Sequence, residues 1–91
     1  MLEISMEELV DDTWNNRVEA RGNVEIRYYG EILLADEFAF DRSTRKLTAE
    51  GNVSLTEADG KVSRTHYLLL NAELRTAFVN YVRRQRIRID R

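Results

Sequence analysis

The sequence predicts an all-β domain of the sandwich or jelly-roll type, and three observations carry this prediction. Apolar and polar residues alternate with a period of two through two long segments, which is the pattern of half-buried strands. Turn-forming residues interrupt the chain at spacings of roughly 8–12 residues. A unit of 29 residues also occurs twice. The 91 residues have room for one small core, so we expect residues 1–91 to form a single domain.

The alternation is clearest in two segments that we predict to be strands. Their apolar positions are Val18, Ala20, Val24, Ile26 and Tyr28 in the first segment and Leu47, Ala49, Val53 and Leu55 in the second. Small residues share this parity, and we expect them to leave room for bulky side chains opposite: Ala20, Gly22, Ala49 and Gly51. The Gly-Asn pairs at 22–23 and 51–52 fall inside the strand pattern, which predicts bulges or close backbone contacts there.

Turns are predicted between these strands, at residues 12–16, 29–30, 41–45 and 58–60. Trp14 lies among the polar residues of the first turn, where a rim anchor and simple packing are equally compatible with the sequence. The repeat places residues 8–26 over 37–55 without a gap. A third, degraded copy aligns when one inserted residue is allowed in the turn near Gly60, and it ends with Asn71 over Asp41.

Two segments also fit a helix. Residues 5–8 match a capping box, and a helical stripe runs through Leu74, Ala77, Phe78, Tyr81 and Val82. The repeat alignment favours strands for both 5–12 and 72–86, so we expect strands and keep the helix as the alternative.

Charge is distributed unevenly along the chain, although the formal net charge is only −2. Residues 1–20 carry six acidic residues against one arginine, and residues 75–91 carry six arginines against one aspartate. The acidic balance argues against a nucleic-acid partner. The longest apolar runs are far shorter than the roughly 18 residues that a membrane span needs.

The sequence contains few candidates for catalytic residues. His66 is the single histidine and cysteine is absent, so neither a nucleophile with its base nor a thiolate metal site is indicated. We expect His66 to be an ordinary structural or surface residue. The sequence predicts a non-enzymatic protein without a cofactor or metal.

Three segments together resemble the OstA-like family of lipopolysaccharide-transport proteins: 20–26, 32–41 and 47–55. The doubled A-x-G-N-V motif with an intervening A-D-x-x-x-x-D carries the resemblance, which covers roughly residues 8–82. This family includes the periplasmic bridge protein and the amino-terminal domain of the outer-membrane assembly protein. Asp11 departs from the family pattern, which usually has an aromatic residue there.

The resemblance implies an open, twisted β jelly roll that shields the acyl chains of lipopolysaccharide and joins like domains head to tail through its edge strands. It also implies a periplasmic location in outer-membrane assembly. No secretion leader follows Met1, so that location requires a removed leader or a fragment.

Two groups of residues are the candidate sites. The lipid-binding interior is predicted to consist of Ile26, Ile32, Leu34, Phe38, Phe40, Val53, Leu55, Leu68 and Leu70. Contact with phosphate or a partner protein is assigned to Arg83, Arg84, Arg86 and Arg88, since arginine forks suit phosphate. The alternatives are a purely structural β-repeat module with a filled core, assembling through its edges without lipid, and an arginine run that is a solvated face.

Overall fold

The computed structural model describes residues 2–89, and Met1, Asp90 and Arg91 lie outside this range. The described chain is mostly β, with one helix. In chain order the elements are β1 (Leu2–Ser5), β2 (Glu8–Asp12), β3 (Arg17–Tyr28), β4 (Glu31–Asp41), β5 (Lys46–Thr56), β6 (Val62–Leu69) and α1 (Ala72–Arg84). All four predicted turns are confirmed, and so are the predicted strands before residue 70, including strands in the segment 5–12.

The strands form one antiparallel six-stranded sheet that remains open. Its order is β1-β3-β4-β5-β6, and β2 pairs with β3 on the same side as β1. Neighbouring strands in the sheet are therefore mostly neighbours in sequence, as tight hairpins require. Strand β6 forms one edge of the sheet, and β1 with β2 forms the other.

Bulges interrupt the β3–β4 and β5–β6 hairpin registers at the Gly-Asn pairs, as predicted. The β3–β4 register shifts between Arg21 and Val24, and the β5–β6 register shifts between Glu50 and Val53. Both residues of each pair have positive φ, with +85° and 45° at 22–23 and +79° and 48° at 51–52. Glycine and asparagine are the residues that tolerate this conformation best.

The core lies between one face of the sheet, here called the inner face, and helix α1. Phe38 is fully buried in the middle of β4, between Ala20 on β3 and Ala49 on β5. The two alanines thus leave room for a bulky ring, as predicted. The glycines do not serve this purpose, because a Cβ on Gly22 would meet Glu7 and one on Gly51 would meet Asp36.

The expectation of a strand over 72–86 is wrong, because residues 72–84 form helix α1. Asn71 caps the helix, with its Oδ1 accepting a hydrogen bond from the backbone N–H of Leu74 at 2.8 Å. The helical stripe buries Leu74, Phe78, Val79 and Val82 against the inner face. A cap and an apolar stripe together outweigh the similarity to the earlier hairpins.

The segment after the helix is held against the sheet by Arg42. This side chain is only 6% exposed and donates to the Arg88 carbonyl at 2.6 Å and 3.0 Å. It also donates to Asp11 Oδ1 at 2.7 Å and to the Arg17 carbonyl at 3.3 Å. The unusual Asp11 therefore has a structural partner, and Arg42 joins β2, β3 and the C-terminal segment.

Candidate functional site

The inner face holds only part of the predicted lipid-binding set. Ile26, Phe38, Phe40 and Val53 are buried there, in the same cluster as Phe78 of helix α1. The protein's own helix thus occupies the space that the sequence assigned to acyl chains. Three further members are half-buried at the margin of this core: Leu55, Leu68 and Leu70.

Ile32 and Leu34 do not belong to this interior, and their assignment to it is wrong. Their cross-strand partners are Arg27 and Glu25, and Leu34 is exposed on the face opposite helix α1, here called the outer face. Leu33 and Ala35 are buried in their place. The reason is that Ala35 and Phe38 both face inward although they are three positions apart, an odd spacing, because the β4 register shifts between Leu34 and Glu37. A strict period of two cannot detect such a change of parity.

The four predicted contact arginines lie at the end of helix α1 and just beyond it, and their side chains are exposed. Arg83 and Arg84 occupy the last turn, where positive charge is favourable beside the carbonyl end of a helix. An open depression of about 390 Å³ is lined by Arg83, Arg86, Ile87, Arg88 and Ile89. These arginines are not on a sheet edge, contrary to the expectation that the basic end of the chain forms the last strand.

Strand β6 is the most accessible edge of the sheet, and we call it the docking edge. Its burial pattern is exposed at every position except Leu68. It holds three of the large exposed hydrophobic residues, namely Val62, Tyr67 and Leu69. Within residues 2–89, β5 is its sole strand partner. An exposed edge strand with unpaired N–H and C=O groups can accept another strand.

The two edges differ in charge. Residues 61–69 contain Lys61, Arg64 and His66 and no acidic residue. The opposite edge, formed by β1 and β2 and here called the acidic edge, carries Glu3, Glu8 and other carboxylates and no basic residue over residues 2–12. Opposite charges therefore line the two edges of one sheet, although the basic residues are not those predicted.

Both edges also carry apolar side chains on the inner face. Leu2, Ile4 and Leu9 of the acidic edge pack half-buried against the core. At the opposite edge of the sheet, Leu68 of the docking edge is also half-buried on the inner face. Each edge strand therefore places apolar side chains on the inner face, next to backbone groups that have no further strand to pair with among the described residues.

An ion network lies on the outer face, across β3, β4 and β5. Arg17 lies 3.3 Å from Glu37 and 3.4 Å from Glu50, and Arg21 pairs with Glu19. Glu19 is only 5% exposed. The Arg17 Nε atom lies 3.1 Å from Glu19 but makes no aligned hydrogen bond within the described residues, so this contact is ionic.

The surroundings in this network change the pKa of one carboxyl group, that of Glu37. Burial, followed by the negative charges of Glu19 and Glu50, raises the pKa of Glu37 above its ordinary value, while Arg17 and Arg21 oppose this shift. The arrangement is two arginines among three carboxylates on a partly exposed face. It fixes the strands relative to one another.

The outer face also carries a groove beside the docking edge. It has a volume of about 730 Å³ and is lined by Leu34, Asn52, Val53, Ser54, Arg64, Thr65 and His66. His66 is exposed on β6. No group of three or more His, Cys, Asp or Glu residues in the described chain is placed to hold a metal ion.

Sequence reasoning missed the basic residues of the docking edge and the role of Phe78 in the core. The available signal for the first was the absence of acidic residues from 61–69. The signal for Phe78 was the helical stripe itself.

Comparisons with protein-family models, curated proteins and solved structures found no match. No helix of the described residues is long and apolar enough to cross a membrane.

Proposed function

We propose that this protein is a non-enzymatic assembly module that joins copies of itself head to tail by strand pairing. One observation carries the proposal: the docking edge is eight residues long, open, exposed and basic, and the opposite edge of the same sheet is open and acidic. Two open edges of a single sheet are complementary to each other and not to themselves. Pairing of this kind is heterologous and produces chains of copies.

The contribution of each part of the interface follows from its chemistry. Backbone hydrogen bonds between β6 of one copy and the acidic edge of the next supply affinity. The apolar margins would meet on the inner side, with Leu68 facing residues such as Ile4, and remove apolar surface from water. Charges such as Arg64 and Glu3 accelerate and orient the encounter, and salt screens them over about 8 Å at physiological ionic strength.

We further propose that the fold is built from a repeated unit of about 29 residues and becomes a continuous, open β jelly roll when copies stack. A recurring hydrogen bond supports the repeat, since a side-chain oxygen accepts from the backbone N–H three residues later at three corresponding positions: Asp12 from Asn15, Asp41 from Thr44, and Asn71 from Leu74. Positive φ also recurs after the first two of these turns, with 56° at Asn16 and 59° at Arg45.

A charge-reversal experiment tests the assembly. Sedimentation of the wild type over a range of protein and salt concentrations should reveal species larger than a dimer that dissociate as salt is added. Arg64→Glu should weaken association, and Glu3→Arg in a second population should restore it on mixing. Arg84→Glu is the matched control, because it reverses an exposed arginine on helix α1, which forms part of neither edge. A strictly monomeric protein at high concentration, or equal effects of Arg64→Glu and Arg84→Glu, would reject this mode of assembly.

A second proposal is the lipid role implied by the OstA-like resemblance, in the periplasmic transport of lipopolysaccharide to the outer membrane. The observation that favours it is that only helix α1 and the short segment after it, through Ile87 and Ile89, cover the aromatic inner face within residues 2–89, with half-buried apolar margins at Leu9 and Leu68. Displacement of the helix would open a surface lined by Phe38 and Phe40. Each acyl methylene buried there would contribute about 0.8 kcal/mol.

Photo-crosslinking separates the two proposals. A photoreactive residue in place of Phe40 should label lipid A, while the same residue in place of Glu25 on the outer face should not. Absence of labelling at both positions, with salt-sensitive association intact, would reject the lipid role and leave the assembly role standing.

A further inference from the structure

One end of the molecule combines the most exposed aromatic side chain with a cluster of basic residues. Trp14 is 97% exposed at the tip of the β2–β3 turn. The adjacent β4–β5 turn spans residues 42–45, and the C-terminal segment 86–89 is held against this turn by Arg42. We call these three segments together the tryptophan end. The proposed head-to-tail assembly pairs β6 with β1 and β2, so it does not use Trp14, the β4–β5 turn or the C-terminal segment.

The turn that carries Trp14 is braced from several sides. Asp12 accepts from the backbone N–H of Asn15 at 3.2 Å and from its side-chain amide at 2.9 Å. Asn16 donates to Ser43 Oγ at 2.8 Å, which joins the two turns. An indole held at a fixed, solvent-exposed tip loses little conformational entropy when it inserts into another phase. Exposure on such a turn is not explained by packing.

The arginines are placed at the same end by Arg42. Its backbone N–H donates to the Asn16 carbonyl at 2.9 Å, and its guanidinium holds the Arg88 carbonyl. The side chains of Arg86 and Arg88 then line the 390 Å³ depression, in which the other lining residues are Arg83, Ile87 and Ile89 and none is acidic. A basic depression with an isoleucine floor suits an anionic headgroup together with the first carbons of its acyl chains.

Among the described residues, the carboxylates at this end offset the cluster only in part, because Asp11 is already paired with Arg42 and basic side chains outnumber the carboxylates. Asp11 pairs with Arg42, Asp12 binds Asn15, and Asp41 accepts from the backbone N–H groups of Ser43 and Thr44. Lys46 begins β5 beside this end and is exposed. Basic side chains therefore dominate the surface around Trp14.

From this juxtaposition we propose that the tryptophan end docks the protein on the surface of an anionic phospholipid bilayer. Trp14 enters the headgroup region, where an amphipathic indole is favoured, and Arg86 and Arg88 bind lipid phosphates. A nucleic acid fits less well, because the end offers a single stacking aromatic residue and no aromatic row along a groove.

The single tryptophan of the chain makes the test direct. Its emission should move to shorter wavelength when vesicles of phosphatidylcholine with phosphatidylglycerol are added, and added salt should reverse the change. Vesicles of phosphatidylcholine alone should produce little change. Each basic charge near an anionic bilayer contributes about fivefold in affinity, so the double variant Arg86→Asn/Arg88→Gln should bind roughly 25-fold more weakly in co-sedimentation. Asparagine is chosen at position 86 because φ there is 64°.

Two variants of exposed aromatic residues complete the experiment. Trp14→Ser should lose most of the vesicle binding. Tyr29→Ser should retain it, since Tyr29 is 72% exposed but lies in the turn after the far end of β3. Equal binding to uncharged vesicles, equal effects of the two substitutions, or quenching of Trp14 by a single-stranded oligonucleotide without vesicle binding would each overturn the proposal.

Discussion

Gly51 illustrates what a single residue contributes to this fold. The sequence predicts a bulge at Gly51-Asn52, and the register shift and positive φ at both residues confirm it. The surroundings differ from the expectation, because the neighbour of Gly51 is the Asp36 carboxylate and not the apolar core. Asp36 in turn accepts a hydrogen bond from Asn52 Nδ2 at 3.0 Å. The position of the bulge could be predicted from its residue types, whereas its contact depends on a different strand, β4.

Gly51→Val should destabilise the protein by about 1–3 kcal/mol, through backbone strain at positive φ and through displacement of Asp36. Gly60→Val is the matched control, because Gly60 has φ +92° and nothing within 4 Å of an added Cβ. The difference between the two urea unfolding free energies measures the contact with Asp36. Equal costs would show that only the backbone conformation matters, and an unchanged midpoint for Gly51→Val would contradict this explanation of the bulge.

Glu37 is expected to lower stability at neutral pH. Burial and two neighbouring carboxylates raise its pKa in the folded state. As pH rises, Glu37 therefore loses its proton in the unfolded chain before it does so in the folded protein. Protonated Glu37 favours the folded state below the ordinary glutamate pKa, and this stabilisation is lost as pH rises through the higher pKa of the folded state. Glu37→Gln should raise the urea midpoint near pH 7, and the difference from wild type should shrink toward about pH 3.5.

Asp12 provides the opposite case. Hydrogen bonds from the Asn15 side chain and then its backbone lower the pKa of Asp12. Ionised Asp12 therefore stabilises the folded state at pH values above the ordinary aspartate pKa. This stabilisation is lost as pH falls through the lowered pKa of the folded state. Asp12→Asn should therefore lower the midpoint near pH 7, with the difference shrinking in acid. Shifts of the same sign for Glu37→Gln and Asp12→Asn would be inconsistent with these environments.

At the scale of elements, the choice between hairpin and helix depends on the residues that come after a capping side chain. Asp12, Asp41 and Asn71 each bind the backbone N–H three residues on. After the first two, polar turn residues with positive φ return the chain into a strand, as at Arg45. After Asn71 come good helix formers with an apolar stripe, and a helix results. For residues 72–86 the sequence contained both a helical stripe and a repeat alignment that favours a strand. The prediction followed the repeat alignment, and the structure follows the helical stripe.

Strand β4 marks the other limit of prediction at this scale. Its existence and direction follow from the pattern, and Phe38 and Phe40 face the core as expected. The change of parity before Glu37 is imposed by the bulges on the neighbouring strands β3 and β5. Because that cause lies in other strands, the alternation within β4 could not place Leu34 on the correct face.

Arg42 should be the most costly charged residue to remove, because its buried guanidinium joins three separate segments. Arg42→Ala should destabilise the protein by about 2–4 kcal/mol, since Asp11 and two carbonyl groups lose their donor. Arg75→Ala is the control, as Arg75 makes a single 3.4 Å hydrogen bond to the Arg45 carbonyl on the surface and should change stability by less than about 0.5 kcal/mol. Similar unfolding free energies for the two variants would refute this role.

For the whole molecule, the prediction of an all-β fold is confirmed only in part, because the sheet is accompanied by helix α1, while the open sheet implied by the resemblance and the opposition of charge at its edges are both present. The location of the positive charge was wrong, since the C-terminal segment folds back to Arg42 near the acidic strand β2. The basic edge consists instead of Lys61, just before β6, and of Arg64 and His66 on β6. Charge counted along a chain cannot be placed in space until the direction of the final element is known.

The proposed function depends above all on β6 being the surface through which copies join, and amide hydrogen exchange at this strand is the decisive measurement. An edge strand with free N–H groups exchanges quickly in a dilute monomer. Exchange of residues 62–69 should slow markedly as protein concentration rises at low salt, together with residues 2–12 of the acidic edge, while helix α1 should be unaffected. Protection that is independent of concentration at β6, or that appears at helix α1 instead, would refute assembly through these edges.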